Sequence, residues 1–121
     1  MPHRIVQVAG SRVLVRDPSA GLVQRESDAL DLVALAHEHE ADWIAVPADT
    51  LHDDFFRLDS RLAGTVLQKL ANYGVRLGVV GDIDRWLAHS EALRALVREC
   101  NRGQSVWFAA SEDDLLRRLG A

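Results

Sequence analysis

Residues 53–82 constrain the fold most, because they set a polar loop, an amphipathic helix and a buried strand end to end. The segment opens with Asp53-Asp54-Phe55-Phe56-Arg57-Leu58-Asp59-Ser60. Ala63, Val66, Leu67, Leu70 and Ala71 then recur at the i, i+3, i+4, i+7 and i+8 spacing of one apolar helical stripe, which docks on a sheet. Val75, Leu77, Gly78, Val79 and Val80 follow as a nearly continuous apolar run, the pattern of a strand covered on both faces. Such a chain needs a layered helix-on-sheet fold.

The flanking sequence repeats the theme. Residues 4–8 and 12–16 are short β-branched runs around Ala9-Gly10-Ser11, a hairpin signature, and Asp17-Pro18 ends the second run. Leu22 and Val23 read as a short extended piece. Ser27 is placed as the N-cap of a helix reaching about Glu40, with Asp28 and Asp31 near its positive end and Ala29, Leu32, Val33 and Ala36 inward. Residues 43–47, apolar throughout, read as a central strand closed by Pro47. The connection 48–60 is long for a compact domain and is expected to hold a short helical turn.

Gly74 suits the end of the helix over 61–73. Residues 82–86 read as a loop or single helical turn, Ser90 caps a helix through Cys100, residues 105–109 form a last strand, and Ser111 opens a C-terminal helix. The order β-β-α-β-turn-α-β-α-β-α predicts one α/β domain over 1–121. Its sheet has about five strands and is mainly parallel, with an antiparallel hairpin at one side and right-handed crossovers.

The 121 residues suit a single core, and their 48% hydrophobic and 26% charged fractions are those of a globular protein. Without a membrane-length apolar run or a signal-peptide pattern in Met1-Pro2-His3-Arg4, the expected location is cytoplasmic. The net charge of −4 disfavours nucleic-acid binding through a basic surface. Cys100, the single cysteine, excludes an internal disulfide and a cysteine-based zinc cage.

His37 and His39 stand about 200° apart on a helix, poor spacing for shared metal ligation, and His37-Glu38-His39-Glu40 reads as a solvated helix end. His52-Asp53-Asp54, with His89 or Asp82, reads as loop and helix-start polarity rather than a cation site. No metal or cofactor is expected. Asp82 and Asp84 follow a buried strand, and with Asp49 they should line the crevice beyond the strands' carboxyl ends, where ligands collect.

Acids there can position a hydroxyl, an amine or a metal-bound water, and Asp82 equally suits a turn cap. Asn101 reads as a helix C-terminal residue or a polar contact. Asp59 or Ser60 suits the N-cap of the helix over 61–73, a place where a phosphate would also be stabilised. As a simple cap, Ser60→Asp is expected to be near neutral. Phe55 and Phe56 read as a self-association patch with one ring inward and one free, or as two rings buried under the loop.

The chain resembles the bacterial domain-of-unknown-function family 4180. The resemblance rests on Asp-Ala-Leu-Asp-Leu at 28–32, Asp-Phe-Phe-x-Leu at 54–58, Ala-Gly-x-x-Leu-Gln-Lys at 63–69, Asn-Tyr-x-Val-x-Leu at 72–77, Val-Gly-Asp at 80–82 and Glu-x-Asn-x-Gly at 99–103. Those segments cover most of the chain after residue 25 and imply no activity. In element order the chain also resembles the STAS domains of anti-sigma factor antagonists, and Asp59-Ser60-Arg61-Leu62-Ala63-Gly64 is similar to their Asp-Ser-Ser/Thr-Gly-Leu segment. That resemblance implies a kinase-dependent switch at Ser60, although Leu62 stands where the glycine is expected and the loop before it is longer.

The combined expectation is a STAS-like, non-catalytic regulatory or protein-interaction module. It is expected to form a homodimer and to meet a regulatory protein partner. The alternative is a small enzyme or small-molecule binder using Asp49 and Asp82.

Overall fold

The structure, a computed structural model, describes residues 3–121; Met1 and Pro2, part of the opening weighed as a signal peptide, lie outside the described residues. Five strands form one sheet in sequential order: β1 (Arg4–Val8), β2 (Ser11–Val15), β3 (Trp43–Pro47), β4 (Arg76–Val80) and β5 (Val106–Ala109). β1 and β2 are antiparallel, and every later pair is parallel. Ala9 and Gly10, at φ 48° and 84°, turn the hairpin in the left-handed region.

Six helices accompany the sheet: α1 (Glu26–Glu38), α2 (Asp53–Phe56), α3 (Leu62–Asn72), α4 (Asp84–Leu87), α5 (Glu91–Arg102) and α6 (Glu112–Leu119). Sequential parallel strands with right-handed crossovers place every crossover helix on one face. The core follows that geometry. Leu14, Ile44, Val46, Leu77 and Val79 pack on the front face against Leu32, Val33 and Ala36 of α1, Val66 and Leu70 of α3 and Leu93 of α5.

The back face buries Val13, Val15, Trp43, Ala45 and Trp107 beneath Leu115 of α6, a smaller second core. Trp43 and Trp107 lie 4.6 Å apart between ring centroids, and the Arg118 guanidinium sits 3.8 Å over Trp107. A Cβ on Gly78 would come within 2.5 Å of the Leu115 side chain, so this glycine lets α6 lie directly on β4.

Two helix starts differ from the sequence expectation. α1 begins after Arg25 rather than Ser27, because the Asp28 carboxylate accepts the amides of Gln24 and Arg25 and starts the helix two residues earlier. α3 begins after Arg61, at φ 68°, with Ser60 reaching across it: Ser60 Oγ accepts the Leu62 amide and donates to the Asp54 carbonyl. The connection 48–60 holds α2 between two 3-10 turns, and Val23 bridges Leu51. Among the described residues no helix is long and apolar enough to cross a membrane.

Candidate functional site

β2, β3 and β4 end at Val15, Pro47 and Val80, and each is followed two positions later by an aspartate: Asp17, Asp49 and Asp82. Ser111 follows β5 at the same offset. Parallel register brings all four to the carboxyl edge. Most of them serve their own backbone. Asp17 Oδ1 accepts the Ser19 amide and hydroxyl, both at 2.9 Å, and the amide bond first of all holds this carboxyl below its ordinary pKa. Asp82 Oδ1 accepts the Asp84 amide at 2.9 Å, and Ser111 Oγ accepts the Asp114 amide at 3.1 Å.

Beyond β4 and β5 the connections part, one running to α4 and α5 on the front face and the other to α6 on the back. A cavity of about 440 Å³ opens there, lined by Gly81, Asp82, Asp84, Phe108 and Ala109. A neighbouring hollow of about 380 Å³ is lined by Asp49, Gly81 and Asp82, so Asp82 borders both. Asp49, Asp82 and Asp84 thus share one edge, whereas Asn101 does not join them. Its Oδ1 accepts the Phe108 amide at 2.7 Å on the outer side of β5.

A larger concavity lies elsewhere. A cleft of about 740 Å³ runs between α2 with its following turn and α4 with the start of α5, bordered by Asp53, Arg57, Asp59, Arg85 and His89. Its floor is Phe56 stacked on Trp86, with centroids 5.4 Å apart and ring planes 10° apart, and the Arg85 guanidinium lies 4.9 Å over Trp86. In the sequence, Trp86 reads as part of a loop or single helical turn. An aromatic ring among the charges of Asp84-Arg85-Trp86 was the available signal for a surface role.

The reading as a self-association patch with one free ring is corrected and the alternative, two rings buried under the loop, holds: Phe55 and Phe56 are both buried, edge to face at 5.3 Å. The long connection folds back over them, and Trp86 covers the Phe56 ring. Asp59 stands on the cleft rim and Ser60 behind it, tied to Asp54 and Leu62.

His37 Nε2 lies 3.2 Å from the Tyr73 carbonyl and His39 Nδ1 lies 3.1 Å from that of Leu35, so the two rings diverge. His52 Nδ1 accepts the Asp54 amide at 3.0 Å. Among the described residues no three His, Cys, Asp or Glu side chains are grouped to hold a metal ion. Burial, and secondarily Glu99, pushes the Cys100 thiol above its ordinary pKa, which keeps it in the poorly nucleophilic protonated form. Arg16 is buried and donates to the Gly21 carbonyl at 3.0 Å; desolvation lowers its pKa against the opposing pull of Asp28, Asp17 and Asp31.

The family model described as domain of unknown function (DUF4180) matches residues 8–119. No curated protein and no solved structure matches the chain.

Proposed function

The chain belongs to the DUF4180 family of domains of unknown function, and from that premise we propose that it is a STAS-like, non-catalytic regulatory and protein-interaction module that acts as a homodimer. The observation that carries this reading is a division of labour among its polar groups. Asp17, Asp82 and Ser111 cap their own turns, while a concavity larger than those at the carboxyl edge is an open aromatic-floored cleft with charges of both signs on its rim. A mixed-charge rim around an apolar floor is the composition of a recognition surface. Ser60 supports a regulatory role in the same region. Its hydroxyl ties α2 to α3, so modification would release the turn that carries Asp59.

A second reading, ligand binding at the carboxyl edge through Asp49, Asp82 and Asp84, draws support from Asp82 bordering two adjoining cavities. In-cell crosslinking separates the two. The wild type is expected to capture a protein partner that Arg57→Glu and Arg85→Glu both lose with the fold unchanged by circular dichroism. A small molecule retained by the wild type in native mass spectrometry, lost in Asp82→Asn and kept in both arginine variants, would replace the module reading with the second.

A further inference from the structure

We propose that the homodimer forms by antiparallel pairing of β1 with β1 of a second copy, joining two five-stranded sheets into one. The proposal rests on the reading of this chain as a self-associating module and moves the contact away from Phe55 and Phe56, which are buried. The hairpin geometry shows which backbone groups are free for it. Val8 and Ser11 flank the two-residue turn, and the register continues through Val6↔Val13 and Arg4↔Val15. In such a ladder these pairs exchange the hydrogen bonds, whereas the intervening Ile5 and Gln7 direct their N–H and C=O groups away from β2. β1 is the end of the sheet, and no described strand pairs with that side.

The two sheet edges are treated differently. At β5 the Asn101 side chain accepts the Phe108 amide, so that edge is stopped by the chain's own side chain. Within Arg4–Val8 there is no proline, lysine or bulge, and the strand's one charged side chain, Arg4, is tied to Glu112 of its own chain. Arg-Ile-Val-Gln-Val is instead rich in the β-branched residues that favour pairing.

A twofold axis at Val6 uses every outward group. Ile5 then faces Gln7 of the second copy and Gln7 faces its Ile5, giving roughly four main-chain hydrogen bonds. Arg4, held by Glu112 of its own chain, falls opposite Val8 rather than another arginine. A stable dimer buries roughly 1,200 Å² or more, beyond what a short strand supplies. The rest is to come from the back face: Val6, half-buried, packs on the same core as Leu116 and Leu119 of α6, Val8 lies beside Gly120 at that helix's end, and a twofold axis at Val6 sets this side of the two copies together.

Sedimentation equilibrium of the full chain at micromolar concentration tests the pairing. The wild type is expected to be a dimer. Gln7→Pro removes an outward N–H without touching the β1–β2 ladder, and Val6→Lys sets like charges against each other at the axis. Each is expected to weaken dimerisation roughly tenfold to 100-fold, while Gln7→Ala, which keeps the backbone groups, is expected to remain dimeric. Hydrogen exchange at the Ile5 and Gln7 amides is expected to slow as concentration rises. A wild-type dimer unaffected by both Gln7→Pro and Val6→Lys would overturn the β1 interface and leave self-association standing. A wild type monomeric at about 100 µM would overturn both.

Discussion

At the residue scale, small atoms decide how closely the layers approach. Gly78 lies under Leu115, itself fully buried, so a methyl there has no room unless the Leu115 side chain turns aside or α6 lifts from the sheet. Gly78→Ala is therefore expected to cost about 1–3 kcal/mol, the range for overpacking a well-filled core. Combining it with Leu115→Ala should cost less than the sum of the two single changes, as measured by urea unfolding. Strict additivity would show that the contact does not limit the approach.

Ser60 is a second case, because its hydroxyl both donates and accepts. Ser60→Ala is expected to cost about 1 kcal/mol. Ser60→Asp keeps an acceptor for the Leu62 amide but sets a carboxylate against the Asp54 carbonyl, and is expected to be at least as destabilising as alanine. Sequence alone had made it near neutral. An aspartate variant of wild-type stability would contradict the geometry.

Among the elements, the turn after β2 carries a pH signature. The Ser19 amide, and then its hydroxyl, stabilise the charged form of Asp17 and depress its pKa in the folded state. A depressed carboxyl stabilises the fold fully above its unfolded value of about 3.9, and that contribution is lost as pH falls through the folded value. The stability difference between wild type and Asp17→Asn is thus expected to hold above about pH 5 and to shrink as the solution becomes more acid. A difference that stays constant throughout acid titration of unfolding would show that the turn does not discriminate between the protonation states.

Helix starts carry a related lesson. Ser90 and Ser111 accept the amides of Leu93 and Asp114, as a hydroxyl before an apolar period suggests. Ser27 sits inside α1 because Asp28, a stronger acceptor, captures two earlier amides. Competition between nearby caps is settled here by a local carboxylate that accepts two amides where the serine hydroxyl would accept one.

Across the whole molecule, sequential strand order leaves the back of the sheet to one short helix. The pattern of the chain anticipated the strands, the hairpin, the parallel pairs and the packed helix now seen as α3, each of which follows from the period of apolar residues along a few turns or one strand. The carboxyl edge was legible too, since any parallel strand delivers the residues after it to the same side: Asp49 and Asp82 needed only that rule to be placed together. The cleft was not legible. Phe56 and Trp86 stack across 30 positions of sequence, and nothing local marks one ring as the other's cover. Periodicity records which face of an element is apolar, and that much the sequence determined alone. Which apolar face meets which, whether Phe55 and Phe56 turn outward or in, and which sheet edge stays open were decided only in the tertiary structure, because they depend on side chains far apart in the chain competing for the same space.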